Sequence, residues 1–307
     1  MSAGKVLAVD IGRTTMRSAL FERRGEALAI GEIERSQTTS AGGDLTGSIL
    51  DLLRRRLQGE NEVKAIGIGT TGQVSPLGYV SAAMANLYRE EIALGSWLTD
   101  KLQLPVLVRN DVQLMTLAEA RYGAGRGWSV VCGVAIGSGV GGGTVRHGLL
   151  DIGSDGIAGE CGHVRAVDTG DRRECWCGGR GCLEVQVSGL AIEDRYHAMT
   201  GVQKRATDVL GSTLVDASAA QLVGSVVREL ATGLETLACC INPDGIVLGG
   251  SIGVALARLL ASVREQMSHH AYVAVRGTRL RVAELGGDAQ LYGAAALFDE
   301  STNSEVG

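Results

Sequence analysis

Aromatic residues make up only 4% of the 307-residue chain, too few for the stacking platforms that hold single-stranded nucleic acid. Neither sign of charge forms a long run, and a net charge of −5 argues against a DNA-binding or membrane-binding surface. No apolar stretch reaches bilayer-spanning length, and MSAGKVLAVDIG runs into a strand without the pattern of a secretory leader. Low-complexity segments and short-period repeats are missing too. These absences predict a cytoplasmic chain with no nucleic-acid and no membrane partner. Its seven cysteines then read as reduced thiols or metal ligands rather than disulfides.

Glycine is what the chain has in quantity: 45 residues, about twice average usage. Spread through apolar strands, it implies many tight turns and close backbone approaches. KVLAVDIG, MRSALFE and ALAIGEIE read as consecutive strands, with a turn at ERRGE. GSILDLLRRRLQ has helical apolar spacing, and VKAIGIGTTG reads as a buried strand ending in glycines. EEIALGSWLTDKLQ is helical, PVLVRND a short strand, and VQLMTLAEARYGAG a helix that ends at Gly123. A second set begins with SVVCGVAIGSGVGGGTV as strand, glycine turn and strand. Helices over 186–198 and 219–241, the strand GIVLGG, a helix from Ile252, the strand LRVAEL and the helix QLYGAAALFDE follow. Strands alternating with helices, twice over, predict two α/β domains. The first spans residues 1–117, with the final helix (289–300) packing back on it; the second spans 118–288.

The most specific chemical signal is GECGHVRAVDTGDRRECWCGGRGCLE. His163, Cys175, Cys177 and Cys182 form an H-x11-C-x-C-x4-C set. Three thiolates and one imidazole are a full tetrahedral complement for zinc, with no position left for water, so the metal is structural. The competing reading, free thiols in a glycine-rich loop, is weak because cysteine crowded with glycine is poor core material. Cys132, Cys161, Cys239 and Cys240 lie in apolar context and are expected in the core. GSGVGGG (137–143) has no Walker signature and is followed by a strand, so alone it reads as a hairpin turn. VDIGRTT and IVLGGS are as weak singly, but three glycine turns after apolar strands strengthen one another. Asp111 heads a helix at a strand's end, where it reads either as a helix cap or as a general base. Glu160 and Glu184 flank the proposed metal loop, which would hold them in a shared pocket.

In order and spacing these segments resemble the ROK (repressor, open reading frame, kinase) sugar kinases, within the two-domain actin-like ATPase (ribonuclease H-like) fold. The resemblance is collinear: VDIGRTT, GIGTTGQVSPLGYV with Asn86-Leu87 beyond it, Asn110-Asp111, GSGVGGG, AGECGH, CWCGGRGCLE with Ser188-Gly189, INPDGIVLGGS and GDAQLYGAAAL. It implies a kinase that moves the γ-phosphoryl of Mg-ATP to a hexose or aminohexose hydroxyl, usually on carbon 6, in a cleft between the domains. Asp111 would be the base. Asn110, Glu160, His163 and Glu184 would hold the sugar, with the Gly72-Gln73 turn joining them. His163 would also bind zinc. Phosphates would lie between Gly12, Arg13, Thr14 and Thr15 on one side and Gly137, Ser138 and Gly139 on the other. Gly249 and Gly250 would lie near adenosine, and Asp10 would help hold magnesium. Family members commonly dimerise, and a homodimer is expected.

Two departures stand out. Arg13 replaces the second glycine of the usual Asp-x-Gly-Gly-Thr turn. A positive φ there would cost about 1 kcal/mol or more. Alternatively the turn is ordinary and the guanidinium reaches the phosphates, or crowds them out and leaves a sugar-binding relic. Thr71 stands where many relatives carry proline. Regulatory members place a helix-turn-helix before the first strand, which here starts at Lys5, so a repressor is not expected. Kinase is favoured over non-catalytic sugar sensor, because Asp10, Gly12, Thr14, both later glycine turns and Asp111 remain. Glucose, N-acetylmannosamine, N-acetylglucosamine and kanosamine all fit the motifs, and polyphosphate stays open as donor.

Overall fold

The computed structural model describes residues 4–24, 27–38, 44–81, 91–166, 172–270 and 272–299. Asn86, Leu87, the end of the ERRGE turn and the final residue of the 289–300 helix lie outside them. Eleven strands form among the described residues: β1 (Lys5–Ile11), β2 (Thr15–Arg24), β3 (Ala27–Ile30), β4 (Glu34–Gln37), β5 (Val63–Thr70), β6 (Val106–Asn110), β7 (Val130–Ile136), β8 (Val140–Arg146), β9 (Leu149–Asp151), β10 (Gly245–Gly249) and β11 (Arg279–Val282). The α-helices are α1 (Leu45–Leu57), α2 (Leu94–Leu102), α3 (Asp111–Tyr122), α4 (Glu184–Val187), α5 (Gly189–Thr200), α6 (Ala206–Gly211), α7 (Ala217–Ile241), α8 (Gly250–Ala255), α9 (Leu260–Met267), α10 (Val273–Arg276) and α11 (Ala289–Ala296). They divide into two units, one drawn from Met1–Ala118, Gly148–Ala158 and Gly287–Gly307, the other from Glu119–His147 and Gly159–Gly286.

In the first unit, β1 and β5 are continuous apolar runs buried from Leu7 and Ala65 onward, as central strands must be. The sheet order is β3-β2-β1-β5-β6, with β4 also pairing with β2. β1, β5 and β6 are parallel, and β2 returns antiparallel to β1. The strand expected over ALAIGEIE is broken: Gly31 N–H donates to the Leu20 carbonyl, and the chain re-pairs as β4 with the start of β2. Asp44 caps α1 through Gly47 N–H, and Ile49, Leu52 and Leu53 bury its apolar face.

Helix α11 packs on this sheet through glycines. A Cβ at Gly67 of β5 would overlap the Ala294 carbonyl, and one at Gly293 would overlap the Leu114 carbonyl. Gly67→Ala is therefore expected to destabilise the chain by about 2 kcal/mol, read as a lower urea midpoint. An unchanged midpoint would show that α11 can move off β5 without cost.

Residues 148–158, expected in the second domain from their place in the chain, belong with the first unit. Gln113 Nε2 donates to the carbonyls of Gly156 and Ala158 at 3.0 and 2.9 Å. Gly156, at φ +82°, sits so close to the Val74 carbonyl that no side chain fits there. Sequence proximity to β8 concealed this return.

The second sheet has the order β11-β10-β7-β8-β9, with β10 parallel to both neighbours and β7 antiparallel to β8. The second unit's long helix α7 is capped by Asp216, which accepts from Ala219 N–H, and Leu222, Val226, Leu230 and Leu234 face the core. Arg195 of α5 pairs with both carboxylate oxygens of Glu229 on α7. The helix expected over 186–198 is two: Ser188 interrupts it and caps α5 through Ala191 N–H. Cys132 and Cys161 are in the core as expected; Cys239 and Cys240 are exposed, because they occupy the outer face of α7 near its end. Glu119 is fully buried, and its carboxylate accepts from the backbone N–H groups of Ala124, Glu284 and Leu285. No described helix is long and apolar enough to cross a membrane.

Candidate active site

Parallel pairing aligns three strand ends in the first unit: Ile11 lies opposite Thr70, and Thr70 opposite Asn110. The turns that follow, Gly12–Thr15, Thr71–Gln73 and Asn110-Asp111, therefore stand along one carboxyl edge, where ligands of parallel α/β sheets collect. Gly12 N–H donates to the Thr15 carbonyl and closes the first turn; a Cβ on Gly12 would lie 2.9 Å from that oxygen. Arg13 does not take a positive φ, so the turn is ordinary, and its side chain is exposed along with those of Thr14 and Thr15. Asp10 is buried beside this turn, and Arg17 grips its Oδ2 through Nη2 at 2.6 Å and Nε at 3.1 Å. Burial pushes the Asp10 carboxyl above its ordinary range against the pull of Arg17. Arg17 also donates to the Gly287 carbonyl.

The helix cap at the third turn falls to Asn110. Its Oδ1 accepts from Val112 N–H at 2.9 Å and Gln113 N–H at 3.2 Å, and its Nδ2 donates to the Gly72 carbonyl at 3.0 Å. Asp111 is thus the first helical residue, half-buried, with Oδ1 accepting from Val112 N–H. Gly72, at φ +98°, needs glycine's freedom; Gln73 is half-buried, and its carbonyl accepts from Ser81 N–H.

In the second unit, β7 and β10 run parallel into Gly137 and Gly250. Gly250, at φ +76°, would overlap the Ile136 carbonyl if it carried a side chain, so the Gly137–Gly139 and Gly249-Gly250 turns adjoin. Ser138 is exposed at the tip. Gly189 N–H donates to the Gly137 carbonyl at 2.7 Å, and Glu184 Oε2 accepts from Val140 N–H at 2.9 Å. A Cβ on Gly139 would stand 2.6 Å from that same oxygen. Glu184 therefore ties the glycine turn to the end of the cysteine loop.

The ligand atoms of His163, Cys175, Cys177 and Cys182 all lie within 4.8 Å of one another. Zinc bonds of about 2.3 Å to sulfur and about 2.0–2.1 Å to nitrogen give tetrahedral edges of about 3.8 Å (S–S) and about 3.6 Å (S–N). Cys177 Sγ lies 3.7 Å from Cys182 Sγ, and Cys175 Sγ lies 3.6 Å from His163 Nδ1. The donor set and its spacing fit a closed zinc site. Burial and the neighbouring thiols push the Cys182 thiol up to about 12. With Nδ1 turned to sulfur, His163 Nε2 faces Glu160 Oε2 at 3.9 Å. Burial raises Glu160, His163 opposes the rise, and Glu184 adds to it. Two carboxylates of the second unit, Glu160 and Glu184, thus stand beside the cluster.

A model of the ROK family matches residues 6–301. The chain belongs to the ROK family. A glucokinase of Halalkalibacterium halodurans is 31% identical, covering 99% of this chain and 98% of its own. An N-acetylmannosamine kinase of Vibrio cholerae is 29% identical over 96% of this chain and 100% of its own. Among solved structures, a ROK family glucokinase from Streptomyces griseus in complex with glucose and AMPPNP superposes with a TM-score of 0.75 at 26% identity, covering 96% of this chain and 99% of that one. The architecture of this ROK chain is the two-domain α/β fold of the actin-like ATPases.

Sequence reasoning missed Arg17 and Trp176. Arg17 looked like an ordinary strand residue. Trp176 had a signal: one of three tryptophans, set between two cysteines of the cluster.

Proposed function

We propose that this ROK chain is an ATP-dependent sugar kinase, acting on a hexose or aminohexose and most readily at the carbon-6 hydroxyl. The observation that carries the reading is the place of Asp111: Asn110 caps the helix, and the aspartate follows as its first residue at the carboxyl edge of the parallel strands. Asp111 takes the part of general base at that edge, with its Oδ1 accepting from Val112 N–H. The glucokinase and N-acetylmannosamine kinase names of its relatives support the substrate class.

In the reaction, the sugar hydroxyl oxygen attacks the γ-phosphorus, the bond to the β-bridging oxygen breaks, and ADP leaves in line. The hydroxyl proton passes to the Asp111 carboxylate. Glu160, His163 Nε2 and Glu184 accept hydrogen bonds from ring hydroxyls, while the backbone amides of the Gly12–Thr15 and Gly137–Gly139 turns receive phosphate oxygens. The exposed Arg13 guanidinium adds charge-assisted donors on the phosphate side. Magnesium would be held beside Asp10 and would neutralise phosphate charge. Zinc on His163, Cys175, Cys177 and Cys182 would be structural, fixing Glu160 and Glu184.

A second reading, a sugar sensor without transfer, is favoured by one observation: Arg17 already occupies Asp10 Oδ2. A screen over glucose, N-acetylmannosamine, N-acetylglucosamine and kanosamine, reading ADP release with ATP and sugar phosphate with polyphosphate as donor, decides between them. Sugar-dependent ADP formation is expected. Sugar-induced thermal stabilisation without ADP or phosphosugar would establish the sensor.

A further inference from the structure

Trp176 is 58% exposed in a chain with few aromatic side chains, yet its indole is not loose. Its Nε1–H donates to Glu184 Oε1 at 2.6 Å, and its ring meets the His163 imidazole edge-to-face, centroids 4.7 Å apart at 83°. Glu184 is thereby held from both sides, Oε1 by Trp176 and Oε2 by Val140 N–H. A carboxylate has about four lone-pair sites, so two remain to accept hydroxyl protons from a ligand. An apolar face beside a few fixed polar groups is the usual chemistry of a small-molecule site.

We propose that Trp176 is a sugar-contacting residue: its indole N–H orients Glu184, and its exposed face packs on the C–H face of the bound pyranose. This rests on the kinase reading of Glu184 and His163 as sugar ligands, and adds a residue that reading does not need. The alternative, an indole that only shields the cysteine cluster, predicts no effect on sugar binding once the metal is retained.

The test uses the full chain with bound metal. Trp176→Phe keeps a ring and removes the donor; Trp176→Ala removes both. Zinc content is measured by metal release and a colorimetric chelator. Binding of glucose and N-acetylmannosamine is followed by calorimetry, and tryptophan emission is recorded with Trp97 and Trp128 still present. Loss of one hydrogen bond to a charged group is expected to weaken binding by about tenfold in the Phe variant. Removing the apolar face as well raises this to about a hundredfold in the Ala variant. The sugar-dependent change in emission should vanish in both. Should the wild type bind sugar and zinc-loaded Trp176→Phe bind it equally, with the emission change intact, the proposal is overturned and the kinase reading stands. If the wild type binds none of the four sugars of the ADP-release screen, followed in the same way, both fall.

Discussion

Asp111→Asn is expected to lower kcat by about a thousandfold, within the 10²–10⁴ range typical of a removed general base, while sugar binding survives. The structure makes this substitution unusually clean. Asn110 accepts from the Val112 and Gln113 amides at the start of α3, so the helix keeps its cap. Asparagine at 111 retains an oxygen for Val112 N–H, the bond that Asp111 Oδ1 accepts. What is lost is the capacity to take a proton, because an amide is not a base near neutral pH. The ADP-release rate should therefore collapse, while glucose or N-acetylmannosamine still raises the melting temperature. Comparable turnover in the variant would remove Asp111 from its role. Loss of sugar-induced stabilisation as well would mean that Asp111 chiefly binds the sugar.

Much of this was legible in the chain because the signals were local. Apolar runs ending in glycine placed β1, β5, β7 and β10, and the parallel register then brought their turns to common edges. The H-x11-C-x-C-x4-C spacing named the four groups that cluster within 4.8 Å. What stayed hidden depended on contacts distant in sequence. Gln113 draws residues 156–158 to the first unit through two backbone carbonyls, and nothing in the 148–158 stretch announces that partner. Glu119 is buried with partners from far along the chain, the backbone amides of Glu284 and Leu285, which no local pattern announces. Arg13 posed the reverse problem. A glycine position filled by arginine suggested strain, and only the backbone angles show that none is needed. Arg17 is the more consequential arginine. It competes for Asp10, the residue expected to face magnesium, so kinase activity requires that the carboxylate serve both through separate oxygens.

Cys177→Ser is expected to release the metal and weaken sugar affinity by about ten- to a hundredfold, the scale on which lost support around a metal site is felt. Cys177 is the exposed member of the cluster, so its loss opens no core cavity, and the effect can be assigned to coordination. Serine leaves His163, Cys175 and Cys182 as three donors where a closed tetrahedral site needs four. Without a cation, the Cys182 thiol, held up to about 12, stays protonated at neutral pH. Metal binding must displace such protons, so uptake should release acid into a weakly buffered solution and weaken as pH falls. The functional consequence runs through neighbours rather than through the ion. Glu160 precedes the turn that carries His163, and Glu184 follows Cys182 by two residues; both inherit their positions from the loop. Measured zinc content, sugar affinity and ADP release should fall together in Cys177→Ser. A demonstrably metal-free sample with full activity would show instead that the glycine turn and α4 hold Glu184 by themselves, through Val140 N–H on Glu184 Oε2, with Gly189 N–H fixing the turn at the Gly137 carbonyl.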